Sequence, residues 1–142
     1  LDSNEITKVA TTLKGANNTF EAIDTVVNIN AGFVSDTQAI DWRPTSIEDM
    51  NLLIEQKIKP FIIEKIIPFL DERSSMKHVL NDFENHNRYF FLNSNEVVAL
   101  LAIAMYCLQS DLERARTVAN VYFKSDDIYR EKYKNVFMKL NT

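Results

Sequence analysis

The rhythm of apolar and polar positions changes near Pro44. Across residues 19–34, Ile23, Thr25, Val27, Ile29, Ala31 and Phe33 fall on one parity. Such alternation, rich in β-branched side chains, predicts a strand with one face on a core. Asn28, Asn30 and Gly32 disfavour a helix there. A lone strand is unstable, so the run needs partners, and residues 6–13 and 37–42 are the candidates. In residues 6–13 the spacing of Ile6, Val9 and Leu13 suits a short helix, whereas Thr7, Val9, Thr11 and Thr12 suit a strand. Gly15-Ala16-Asn17-Asn18 and Ser35-Asp36 are turn signals.

Beyond Pro44 the period becomes helical. Thr45 or Ser46 can cap a helix, with Glu48 and Asp49 favoured in its first turn. Met50, Leu53, Ile54 and Ile58 continue it as an apolar stripe. Pro60 and Pro68 interrupt the pattern, and an interior proline costs ~3 kcal/mol. The spacing therefore predicts a break or kink at Lys59-Pro60, a second segment over residues 61–67, and an end near Leu70, with Phe61, Ile62, Ile66, Phe69 and Leu70 in the core. Ser74 or Ser75 opens a helix carrying Met76, Val79, Leu80 and Phe83, which Asn85-His86-Asn87 ends.

Residues 97–108 form an uncharged run with no Gly or Pro. They fall short of the ~20 apolar residues that span a bilayer, and their Ala, Leu and Met favour helix. A helix apolar on all sides must be surrounded by other elements, so this one is predicted as the central post of the core. Asn93 with Glu96, and Ser110 with Glu113, have the capping-box spacing. Two further helices are expected: one with Leu112, Ala115, Val118, Ala119 and Tyr122 on a face, and one capped by Ser125-Asp126-Asp127 with Tyr129, Tyr133, Val136, Phe137 and Leu140 on a stripe. Short connections make these antiparallel neighbours. No repeat or low-complexity tract stands out.

The expected architecture is α+β: a small N-terminal antiparallel sheet packed against a C-terminal bundle of about five helices. It forms one domain over residues 1–142, with 1–44 mainly strands and 45–142 helical. A chain of 142 residues suits a single core. The net charge of −4 argues against a nucleic-acid surface. The nearest basic cluster, Arg130, Lys132, Lys134 and Lys139, is interleaved with acids and reads as a solvated helix face. Cys107, the single cysteine, lies inside the apolar run and reads as a small hydrophobe. The chain begins at Leu1 without a Met, as a trimmed or processed chain would, and carries no signal-peptide pattern. A cytoplasmic, non-membrane protein is expected.

Candidate chemistry is sparse. His78 and His86 are eight apart, a poor spacing for zinc. The pairs Glu48-Asp49, Asp71-Glu72 and Asp126-Asp127 lie at predicted helix ends, where capping accounts for them. No catalytic, metal or cofactor motif is present. Trp42, Arg43, Arg88 and Tyr89 are the candidate binding residues, because Trp, Tyr and Arg dominate interface hot spots. The competing reading puts Trp42 in the core between sheet and helices, with Phe90 and Phe91 packed under the post.

Tyr106, Ser110 and Ala115 are spaced like the Tyr, Gly and Ala of a tetratricopeptide repeat. The family's Gly is Ser here and its Trp position holds Ala99, so the resemblance implies only helix-pair geometry. Val27-Asn28-Ile29, Trp42, residues 47–58, Ile67-Pro68-Phe69-Leu70-Asp71 and residues 100–119 follow in an order that resembles an uncharacterised bacterial family, domain of unknown function 4304. That resemblance implies antiparallel strands followed by helices, and no activity.

These features point to a non-enzymatic protein-binding module, such as a bacterial immunity-type or adaptor protein. The alternative is a small-molecule-binding domain or enzyme with a pocket between sheet and helices.

Overall fold

The computed structural model describes residues 3–15, 31–34, 42–86, 94–123 and 127–141. Among these residues there are helices and turns and no strand, which overturns the α+β expectation and its antiparallel sheet. Residues 6–13 lie inside α1 (Ser3–Lys14), and α2 (Ala31–Val34) is a helical turn. The rest of the two other expected strands, residues 19–30 and 37–41, lies outside the described residues, as does the turn at Ser35-Asp36.

Burial decides α1. Ile6, Ala10 and Leu13 form one helical stripe and are buried. Burying an Ile or Leu is worth ~1.5–3 kcal/mol, whereas the helix penalty of a threonine is a few tenths of a kcal/mol. The threonines also satisfy themselves. The Thr7 hydroxyl donates to the Asn4 carbonyl at 3.1 Å and the Thr12 hydroxyl to that of Lys8 at 2.8 Å. Gly15 ends the helix at φ 97°, its N–H bonded to the Thr11 carbonyl at 3.3 Å. A Cβ there would meet only the end of the Asn135 side chain, which can shift, so it is the backbone angle that calls for glycine.

The expected post is α7 (Asn95–Leu108), in which Val98 through Tyr106 are buried without interruption. α1, α6 (Met76–Glu84) and α8 (Leu112–Phe123) pack against it. Its cap differs from the expected Asn93–Glu96 pair: Ser94 Oγ accepts from the Val97 N–H at 3.3 Å, and Glu96 is used elsewhere. Asn93 lies outside the described residues. At the other end Asp111, not Ser110, caps α8, its Oδ1 accepting from the Arg114 N–H at 3.1 Å. Ser110 instead terminates α7 at φ 62°. Its N–H reaches the Cys107 carbonyl at 3.0 Å, and the Asp111 N–H reaches that of Tyr106 at 2.9 Å, the paired bonds of a Schellman turn.

The expected last helix is two, α9 (Asp127–Lys132) and α10 (Lys134–Leu140), broken at Tyr133. Tyr133 is buried and stacks on Phe123 with ring centroids 4.2 Å apart. Val136, Phe137 and Leu140 are buried beside it. The side chain of Tyr129 and the caps Ser125 and Asp126 lie outside the described residues.

Both ends of the post are tied by a carboxylate, a phenol and a cation. At one end Glu84 accepts from the Tyr106 hydroxyl at 2.6 Å and from Arg114 at 3.3 Å. At the other, Glu96 accepts from the Tyr133 hydroxyl and from Lys132 at 2.9 Å. Burial, reinforced by the neighbouring carboxylate, pushes both phenols up to about 12. Hydrogen bonding to Glu96 holds the Lys132 ammonium above its ordinary range.

Candidate protein-docking surface

Residues 47–72 depart most from expectation. Instead of breaking at Lys59-Pro60, they form one continuous helical rod: α3 (Ile47–Leu53), α4 (Lys59–Phe61) and α5 (Ile67–Glu72), joined by wider π turns at Ile54–Ile58 and Ile62–Ile66. Ser46 caps it as expected, its Oγ accepting from the Asp49 N–H at 3.0 Å. The Asp49 carboxylate accepts from the Thr45 hydroxyl, which holds it below its ordinary value.

The π turns are how the rod carries its prolines. A proline lacks the N–H that would reach four residues back, and its ring clashes with that carbonyl. Here the residue before each proline reaches five back, Lys59 N–H to the Ile54 carbonyl and Ile67 N–H to that of Ile62. The wider turn moves the obstructing carbonyl aside.

Behind the two turns lies a short tandem repeat in the sequence, against the expectation of none. Aligning 54–61 with 62–69 pairs Ile54/Ile62, Lys57/Lys65, Ile58/Ile66, Pro60/Pro68 and Phe61/Phe69, five identities in eight positions. An α-turn takes ~3.6 residues and a π turn close to one more, so one of each takes about eight. Residues eight apart, and nearly those four apart, therefore share a line. Met50, Ile54, Ile58, Ile62, Ile66 and Leu70 recur at that spacing. In an unbroken α-helix their line would drift by about 200° from first to last; the π turns straighten it.

One side of the rod faces the rest of the protein. Phe69 is buried, and Leu53, Ile54, Ile58, Phe61 and Ile66 are half-buried. α2 lies against Ile62–Ile66. Arg73, just past the rod, fixes its end: Nε meets Asp82 Oδ2 of α6 at 2.6 Å, with both side chains about nine-tenths buried. The guanidinium also stacks 4.0 Å over the Phe69 ring and pairs with Glu72 at 2.9 Å. The His78 imidazole donates from Nδ1 to the Glu72 carbonyl, a second tie at the same place.

The other side is exposed and carries aliphatic side chains among charged ones. Ile63 is 62% exposed and Ile67 45%, with Ile47 on the same line, and beside them Met50, Ile62 and Leu70 (56%) are the exposed members of the line whose Ile54, Ile58 and Ile66 are half-buried. Isolated exposed aliphatics need no explanation, but a contiguous row along one element marks an interaction surface.

Of the expected binding residues, Trp42 stands at the rod, half-buried and edge-on to Phe61 with ring centroids 5.9 Å apart. It is neither closed into a sheet–helix core nor fully in water. Arg43 beside it is exposed. Arg88 and Tyr89 lie outside the described residues, with Phe90 and Phe91. Of the expected core residues here, Phe69 is buried and Phe61 and Ile66 half-buried, but Ile62 and Leu70 are exposed; a 3.6-residue period does not align them with Ile63 and Ile67, and the eight-residue repeat does.

The remaining chemistry is structural. Cys107 is half-buried rather than enclosed, and burial pushes its thiol up. His86 ends α6 at φ 52°. Within the basic cluster, Lys134 pairs with Glu131 at 2.7 Å as Lys132 does with Glu96. An open depression of about 690 Å³ lies over α9 and α10, lined by Arg130, Lys134 and Phe137 among others. Its charges are of mixed sign, and no buried polar group converges on it. Among the described residues no three His, Cys, Asp or Glu side chains are grouped to hold a metal ion. No described helix is long and apolar enough to cross a membrane.

Compared with protein-family models, curated proteins and solved structures, the chain matches none.

Proposed function

We propose that this chain is a non-enzymatic protein-binding module, of immunity or adaptor type, that docks its partner on the outer face of the 47–72 rod. The observation that carries the proposal is the exposed row Ile62, Ile63, Ile67 and Leu70 on an element pinned at its far end by a buried ion pair. A rigid helix with a continuous apolar edge is one half of a helix-on-helix recognition mode. Trp42 and Arg43 sit beside the rod, where an aromatic and a guanidinium can extend the contact. The proposal includes a cytoplasmic setting and a protein rather than a nucleic-acid partner, which the net charge of −4 favours.

The test compares the full chain with Ile63→Lys and Ile67→Lys as baits in a lysate of the source cell. Both sites are exposed, so the melting temperature should hold, since such changes cost within ~0.5 kcal/mol. A protein retained by the parent chain should be lost from both variants. Equal retention by all three would refute this docking face.

A further inference from the structure

The rod's repeat organises charge as well as apolar side chains. Along the outer edge, next to the exposed isoleucines, residues eight apart are Glu48, Gln56, Glu64 and Glu72. Lys57 and Lys65, also eight apart and exposed, fall on the line of Leu53, Phe61 and Phe69, about half a turn from Ile63 and Ile67 and a quarter-turn from the acids. Asp71, itself exposed, adds a further acid near the pinned end. The remaining cation of the rod, Lys59, is engaged by Glu55 one turn earlier. The rod as a whole carries six acids (Glu48, Asp49, Glu55, Glu64, Asp71, Glu72) and three lysines (Lys57, Lys59, Lys65), a net of −3.

Resting on the reading of this face as a docking surface, we infer that its occupant is an amphipathic helix of a partner protein whose apolar stripe is edged by Lys or Arg. The apolar rows supply contact, and the acid edge selects the sign of the partner's flank. A second copy of this chain would bring acid edge against acid edge, which costs like-charge repulsion. An anionic membrane surface is disfavoured for the same reason.

The probe is a pair of synthetic helical peptides with one Leu stripe, edged by Lys in one and by Glu in the other. Binding to the full chain is followed by anisotropy of a fluorophore on the peptide. The Lys-edged peptide should bind at least tenfold more tightly than the Glu-edged one. That ratio should shrink as salt rises above ~0.1 M, where the Debye length falls below ~10 Å. Glu64→Gln should cut Lys-peptide affinity severalfold without changing that of the Glu peptide, and Ile67→Lys should abolish binding of both. Equal affinity for the two peptides overturns the inference of a basic partner and leaves the docking face standing. Absence of binding by either peptide overturns the inference, and the lysate experiment then decides the docking face separately. Self-association that Ile67→Lys removes also overturns the inference, because the occupant is then another copy of the chain.

Discussion

Ser110 holds a backbone conformation that suits glycine. At φ 62° an L-residue's Cβ crowds the following carbonyl, at a cost of ~1–2 kcal/mol. The Schellman turn between α7 and α8 imposes that angle, and it is the position where the tetratricopeptide-like spacing places Gly. Ser110→Gly should therefore raise the melting temperature, by an amount equivalent to about 1 kcal/mol. A fall in melting temperature would mean that the hydroxyl has a role the turn does not show. Tyr106 and Tyr133 give a second test at this scale. Their phenols are pushed up to about 12, from an ordinary value of 10.0, so between those limits the folded chain holds protons that the unfolded chain has released. Stability from these groups is complete below pH ~10 and is lost as pH rises toward 12. In a spectrophotometric titration two of the five tyrosines should ionise late, together with loss of helical signal. Uniform titration near the ordinary value would contradict both buried pairs. Neither pair was readable beforehand, because Glu84 and Tyr106 are 22 residues apart, and Glu96 and Tyr133 37.

At the scale of elements, the positions of the caps show what a one-dimensional reading can reach. Ser46 and Ser75 cap the helices expected of them, since a hydroxyl three residues before an N–H is a local property. Ser94 and Asp111 displaced the expected capping-box residues, because Glu96 serves a distant tyrosine and Ser110 a helix C-terminus. The rod failed for a different reason. Proline was assigned its cost in an α-helix, and a π turn ahead of each proline removes much of that cost. If the prolines hold the π turns open, Pro60→Ala together with Pro68→Ala should let both relax to α geometry. Helical circular dichroism should be maintained or rise. The rod upstream should rotate away from its seat, and Trp42 should lose Phe61, with a red-shifted, more readily quenched emission. Unchanged Trp42 emission would show that the turns belong to the packing rather than to the prolines.

For the molecule as a whole, the post was readable because an uncharged helix can be stable only when surrounded, whatever surrounds it. Leu101 is fully buried in its middle, so Leu101→Ala should cost ~2–5 kcal/mol through transfer and cavity terms. A chemical-denaturation midpoint close to that of the parent chain would remove α7 from the centre of the fold. Residues 6–13, open to either helix or strand by sequence, are helical because β-branched residues can also sit on a helix whose other face is buried. The two parts of the candidate surface differ in how they can be read from sequence. Residue type alone singles out Trp42 and Arg43, while the isoleucines need the eight-residue period of the rod.

That period also constrains how the rod can change over time. A stretch that closes two turns in eight residues can gain or lose eight codons at once, and every side chain beyond the change returns to its former azimuth. A single-codon insertion would turn everything beyond it by about a quarter of a circle, carrying acids into the apolar row and isoleucines toward the body of the protein. Among homologous genes, lengthening or shortening of this segment should come in steps of eight codons, and single-codon changes should be confined to the connections on either side.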